Sequence, residues 1–427
     1  MHLFGAFHAD RLVNAGNCRI IYIKIIDITQ RIIESLLSIS LQYKKRKFTA
    51  INKGDQVMGK KFGYYILAVV FFIVLWGNAA SAVAFSDVGN HRGAGHINRM
   101  AAEGVLGGYP DGTFKPDRNI SRVELAAIIN GIFNNQEKSS RKFRDVAPKD
   151  WFSGEIAKAV AAGYITGYED GTVRPGKFVT RQEGYKIVAD AFGLSGLASD
   201  SYAAFSDAGA VQQWARNSTG VLLDRGYIID DGSGKLLPRK FMTRAEAVEL
   251  LDRAAGLIIN ANVASFKDKT VEGNLFVRSS VSALENISVN GDLYIPQSAL
   301  KQNIVLDNVR IKGRLYIRNN KLDSIRIKGG ETGGIIIAGQ SARVHLELEG
   351  STVSGTLGVF AASFINVGSG SRVKKVELEA GASGTVIEAV PGVQISNRSK
   401  NIIVNGVAID EGTVFTTTDS LDLINVY

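Results

Sequence analysis

The chain has a single cysteine, Cys18, and no other in 427 residues. No disulfide framework and no thiolate metal site can be built from it, and neither an oxidising nor a reducing compartment is required. An excess of one charge is also missing from most of the chain. The formal charge is +9, but residues 1–57 hold nine Lys/Arg against four Asp/Glu, and residues 58–84 add two lysines. The remaining 39 basic and 37 acidic residues leave +2 for 85–427, which argues against nucleic acid as a partner. Long apolar runs are scarce: the notable one, Phe62 to Trp76, is short for a membrane span. It follows Lys60-Lys61 and precedes the small residues Ala82-Val83-Ala84, the grammar of a secretory signal. A signal belongs at an N-terminus, so Met58 is the expected start and no span remains after cleavage. Residues 1–57 are then an untranslated or disordered extension, and 58–84 the signal peptide. His91 and His96 have no third ligand beside them, so no metal site is expected, and no cofactor motif appears.

What the chain does have is a phrase written three times. Gly163-Tyr164-Ile165-Thr166-Gly167-Tyr168-Glu169-Asp170-Gly171-Thr172-Val173-Arg174-Pro175 leads to Thr180-Arg181-Gln182-Glu183, and the other copies run from Gly104 to Glu124 and from Gly226 to Glu246. The opening Gly and the Arg lie 18 residues apart in every copy, and each copy is preceded by Phe-x-Asp at Phe85, Phe143 or Phe205. A fixed period of this kind marks a repeat architecture. The Gly suits a left-handed helix end, Asp-Gly a turn, and Ser/Thr-x-x-Glu a capping box at Ser121, Thr180 and Thr243. The capping box leaves the arginines unexplained. A cation in the first helical turn opposes the helix dipole, yet a helix N-terminus with a guanidinium is a good anion site. The copies occupy 85–134, 143–194 and 205–257. Each is a helix–loop–helix unit too small for its own core, so the three should pack around a shared axis.

This tripled pattern resembles the surface-layer homology domain. The resemblance implies a helical, pseudo-threefold trefoil that binds an anionic secondary cell-wall polysaccharide, often bearing a pyruvate ketal, on a Gram-positive-type envelope. It assigns glycan binding to Arg122, Arg181 and Arg244, to Asp87, Asp145 and Asp207, and to Trp151 and Trp214. Arginine would fork a carboxylate, tryptophan would face a sugar ring, and aspartate would accept from sugar hydroxyls. The first copy has Asn90-His91-Arg92-Gly93 where the tryptophan should stand, and Ser233 replaces the turn Asp in the third. The grooves are therefore expected to be unequal, with Arg181 mattering more than Arg122.

From about residue 262 the grammar changes. Gly-x-aliphatic-x-aliphatic recurs around Gly273, Gly291 and Gly313, with weaker copies at Gly333, Gly355, Gly384 and Gly406, at intervals near 20 residues and one of 29 read as a loop insertion. Short alternating strands at that period predict an all-β parallel solenoid over 262–427. Its rhythm resembles right-handed β-helix and bactofilin-like proteins. Two functions fit such a module. It is either a non-catalytic rod for structural, adhesive or glycan-binding purposes, or a carbohydrate-active lyase or hydrolase using Glu347/Glu349 or Glu377/Glu379. Both glutamate pairs alternate with core positions and point outward, which favours the rod. Arg310, Lys312, Arg326 and Lys328 also point outward, and on neighbouring coils they would form an anion patch for wall polymer or for self-association through the solenoid.

The expected product is a secreted protein of the cell wall or surface layer, anchored without a covalent bond. Its mature N-terminus should lie near Val83 or Phe85 when sequenced from surface extracts. A peptide containing Cys18 in those extracts would refute the start at Met58.

Overall fold

The computed structural model describes residues 85–260, 263–278, 280–296, 302–318, 322–339 and 343–418, and the short strand Ile424–Asn425. The expected extension and signal peptide lie outside these residues. The chain divides into two compact units. The first includes 85–94 and 107–115, and the second 95–106 and 116–427. Among the described residues no helix is long and apolar enough to cross a membrane.

Six helices carry the repeats: α1 Ala94–Ala102, α2 Arg122–Phe133, α3 Ser153–Ala161, α4 Arg181–Ala191, α5 Gln213–Asp224 and α6 Arg244–Ala255. The capping boxes at Ser121/Glu124, Thr180/Glu183 and Thr243/Glu246 are complete in both directions. Each satisfies two N–H groups that a helix start leaves without partners, and so fixes where α2, α4 and α6 begin. Gly104, Gly163 and Gly226 take φ of 65°, 82° and 68°, a left-handed turn just past the first helix of each copy. The copies are tied in sequence by antiparallel bridges Ser121↔Phe178, Thr180↔Phe241 and Asn119↔Thr243. Copy one meets two, two meets three, and three returns to one.

Gly256 passes directly into a β-solenoid of about seven turns. The coils are three-sided until the C-terminal ones. The strand Val281–Val289 pairs in parallel with Gln302–Asp307 through Ala283↔Val305, and then, past a corner, with Arg310–Ile317 through Val289↔Ile311. The third side stacks Leu275, Leu293, Leu315, Ile335, Leu357, Val376 and Ile395 in register, and each of these side chains is fully buried. This ladder explains the period: a residue facing inward must meet an aliphatic neighbour one coil away.

Glycine is required at the corner before that side because coils stack there backbone against backbone. A methyl group on Gly333 would lie 2.5 Å from the Gly313 carbonyl oxygen and 2.6 Å from that of Lys312. Gly273, Gly291, Gly313, Gly333 and Gly355 form this column, but Gly384 and Gly406 do not. Val353↔Val373 and Thr356↔Lys375 place Lys374 after Gly355, so this coil has ordinary length and the 29-residue interval is no insertion. Gly406 instead joins Asn405 in a two-residue turn, both at positive φ, between antiparallel strands Ile402–Val404 and Val407–Ile409. The solenoid thus ends in antiparallel strands that the repeat reading did not anticipate.

Helices and solenoid share a core. Phe276, Tyr294 and Tyr316 stack coil upon coil, with centroids 4.4 and 4.7 Å apart, and Phe133 and Phe192 set their ring edges against the stack. Tyr294 donates to the Phe192 carbonyl at 3.1 Å, and Arg318 donates to that of Ala191 at 2.6 Å. Asp292 is fully buried and takes Arg225 at 2.6 Å, which offsets the cost of burying either charge.

The corner column makes a graded prediction. Gly333→Ala should destabilise the protein by about 1–3 kcal/mol in urea unfolding, the usual cost of overpacking. Gly273, on the first coil, has nothing within 4 Å of the added methyl. Gly273→Ala should stay within about 0.5 kcal/mol of the parent, and equal losses would contradict the stacking account.

Candidate functional site

The loop of each repeat is held by the aspartate that opens the copy. Asp87 accepts the N–H groups of Phe114 and Lys115 at 2.8 and 2.7 Å, Asp145 those of Val173 and Arg174 at 2.9 and 2.7 Å, and Asp207 those of Leu236 and Leu237 at 2.9 and 2.8 Å. The second donor is always a non-glycine residue in the left-handed region, with φ of 57°, 52° or 50°, just before a proline. Such a backbone is strained, and both carboxylate oxygens are committed to holding it. For Asp87, burial opposes ionisation, but the hydrogen bonds from Phe114 and Lys115 outweigh it and hold the carboxyl below its ordinary range. These aspartates therefore act as loop pins, where the resemblance implies sugar acceptors. Asp111 and Asp170 are held at about 2, chiefly by the Thr113 and Thr172 hydroxyls. In the third copy Asp230 and Asp231 take over the turn, accepting from Gly232 and Ser233.

The three arginines enter the loop of the following copy. Arg122 donates its N–H to the Lys177 carbonyl, Arg181 to that of Lys240, and Arg244 to that of Arg118, each at 2.9 Å. Their side chains then diverge. The Arg181 guanidinium meets Glu246 at 2.7 Å and the Leu236 carbonyl at 3.0 Å. Arg244 is buried and meets Glu124 at 3.2 Å. In both cases the capping glutamate of the next copy neutralises the arginine. Burial would raise the Glu246 pKa, but the Arg181 hydrogen bond, the Thr243 N–H and the nearby charges keep it below the ordinary value.

Arg122 breaks the pattern. The glutamate in the matching place, Glu183, is bonded to Lys177 at 2.7 Å, as Glu124 is to Arg118 at 2.9 Å, but among the described residues no arginine of another copy pairs with it as well. The Arg122 guanidinium lies 5.5 Å from the centre of the Tyr168 ring, whose centre Arg174 also approaches at 3.9 Å. Among the described residues the buried Arg122 Nε has no hydrogen-bond partner. Buried polar atoms are rarely left so, and a guanidinium without a carboxylate is suited to take one from a ligand. Tyr168 and Lys177 escaped the sequence reading, although one signal was visible: the Tyr168 position is Tyr109 in the first copy and Asp231 in the third.

Trp151 and Trp214 stand open, at 70% and 50% of their surface, the arrangement a sugar face needs. His96 bonds Asp252 at 2.7 Å, and His91 accepts from Gly93. On the solenoid the four cations do not gather into one patch. Arg310 registers with Glu331, whereas Arg326 lies on a different side of the coil and registers with Glu347, which it bonds at 2.5 Å. Lys312 follows Arg310 at the glycine corner, and Lys328 registers with Asp307 and Glu349. Expecting like charges on adjacent coils placed these strands next to each other; in the fold the chain turns a corner between them. The candidate catalytic carboxylates are likewise paired on the surface: Glu347 and Glu349 with Arg326, Glu377 with Lys375 at 2.6 Å, and Glu379 with Arg398 at 3.1 Å.

Comparison with known proteins agrees with the repeat geometry. The model of the S-layer homology domain family matches residues 84–126, 142–183 and 204–248. Cell surface glycoprotein 1 of Acetivibrio thermocellus is 33% identical over 162 residues, 35% of this chain and 7% of that protein. The cellulosome-anchoring protein of the same organism is 31% identical over 176 residues, 39% of each chain. The surface-layer 125 kDa protein of Lysinibacillus sphaericus is 29% identical over 179 residues, 41% of this chain and 15% of that protein. The chain thus spans well under half the length of these relatives. It carries three S-layer homology domains, followed by a β-solenoid.

Proposed function

We propose that the protein is secreted and held without a covalent bond on a Gram-positive-type wall, where its S-layer homology domains bind an anionic, pyruvylated secondary polysaccharide. The solenoid is displayed as a non-catalytic structural or adhesive module. The observation that carries the binding reading is the difference among the arginines. Arg181 and Arg244 have a glutamate of the next copy within reach, and Arg122 has a buried guanidinium N–H with none. A ketal carboxylate would supply the missing partner. Arg122 is therefore the principal anion contact, with Tyr168 as the flat wall beside it, while Trp151 and Trp214 serve sugar faces. This ranking inverts the one drawn from tryptophan content, because the pairing of the capping glutamates with Arg181 and Arg244 was not visible in the linear chain. The non-catalytic reading of the solenoid is supported by the surface pairing of its candidate carboxylates with Arg326, Lys375 and Arg398.

Binding of the full chain to purified walls tests the site. Arg122→Ala should weaken retention by about 1.5–3 kcal/mol, the range for a charge-assisted hydrogen bond, and removing the anionic polymer from the walls should abolish the difference. Undiminished retention of Arg122→Ala would overturn the assignment.

Arg181→Ala should act on stability instead, because Glu246 is left mostly buried beside a lost partner. The cost should be about 1–3 kcal/mol at neutral pH. The Glu246 pKa is depressed in the folded state, so its contribution is full above the ordinary value of 4.5 and disappears as pH falls through the folded value. Unfolding curves of the parent should therefore lose stability on acidification below that point, and those of Arg181→Ala should lose less.

A further inference from the structure

One concavity on the solenoid has no part in the repeats. It is a groove of about 340 Å³ near the C-terminal coils, bordered by Ser354, Ser371, Arg372, Lys374, Val390 and Pro391. It exists because one corner is shortened. Thr352 and Val353 register with Arg372 and Val373 on the coil that follows. The next step begins only at Lys375↔Gln394, so residues 372–374 have no strand beside them on that edge. A tight turn with Gly392 at φ 90° replaces the missing segment, and Val390 and Pro391 form an apolar margin.

The two charged residues that border this notch are both cations. Val373 faces the core, so its neighbours Arg372 and Lys374 both face outward and are exposed. Among the described residues neither has a carboxylate within salt-bridge distance, whereas the adjoining Lys375 is paired with Glu377 at 2.6 Å. Ser371 is buried on the same parity as Val373, and its hydroxyl accepts the Ser351 N–H at 3.3 Å. The Ser354 hydroxyl donates toward Glu331 at 3.1 Å and keeps lone pairs to accept. Two cations, the exposed Ser354 hydroxyl and an apolar margin surround a space within the range of small-ligand sites.

We infer that this notch is a second glycan subsite, which takes an acidic sugar residue with its carboxylate on Arg372 and Lys374 and a C–H face on Val390 and Pro391. An extended acidic peptide fits less well. The open edge is three residues long, roughly 10 Å at strand spacing, too short for strand addition. A uronate unit needs no more length than that, and it uses the Ser354 hydroxyl as well as the charges.

The test uses the full chain carrying Arg122→Ala, so that the proposed repeat contact does not contribute; any binding that the repeats retain through other residues would be indifferent to Arg372 and Lys374. Titration calorimetry with trigalacturonate should show saturable binding, with cellotriose at least about tenfold weaker. Arg372→Gln and Lys374→Gln should each lower affinity about tenfold, the effect of a lost charge-assisted contact. Lys312→Gln, on an earlier coil, should change nothing. The inference is overturned by absent trigalacturonate binding, by binding indifferent to Arg372 and Lys374, by equal binding of cellotriose, or by tighter binding of hexa-aspartate.

Discussion

Each repeat completes the next. The N-terminal turn of α2, α4 or α6 reaches into the following loop through two backbone hydrogen bonds, such as Arg122 to Lys177 and Val123 to Pro175. That loop is itself strained, and holds its left-handed residue because an aspartate pins it. No copy is self-sufficient, as expected for units too small to bury a core. The same hand-over places an arginine beside a foreign capping glutamate. A residue that would weaken an isolated helix becomes an ion pair between copies at Arg181 and Arg244, and the proposed ligand contact falls on Arg122, which has no such glutamate.

Local rules were legible in the sequence and distant ones were not. The capping boxes, the left-handed glycines and the glycine corners follow from neighbours within a few residues or from one repeat length. The Arg181–Glu246 pair joins residues 65 apart, and Arg326–Glu347 joins residues 21 apart on adjacent coils. Identical spacing in the chain gave no hint that Arg181 and Arg244 would reach a glutamate of another copy while Arg122 would not. The aspartates could be assigned a loop role only once the N–H groups of Lys115, Arg174 and Leu237 were seen to converge on them. Gly406 misled for a related reason: Asn-Gly between aliphatic residues reads equally as a coil corner or a hairpin, and the partner strand decides.

The solenoid's outer face shows the same limit. Alternation predicts that Tyr294 and Tyr316 point outward, and they do, but helices α2 and α4 cover them, so Leu293, Tyr294 and Ile295 are all buried. The buried Arg225–Asp292 pair sits at the same junction. The helices and the solenoid are therefore packed together through a common aromatic core. Any glycan bound at the repeats would be held by the same body that carries the solenoid groove.

The central claim is that Arg122 is the arginine left open for a ligand carboxylate. Nitrogen-detected NMR of arginine side chains, during titration with purified wall polysaccharide, reads each Nε–H group separately. The account predicts that the Arg122 resonance shifts and its proton becomes protected, while Arg181 and Arg244 stay in place. Movement of Arg181 or Arg244 with an unmoved Arg122 would contradict it.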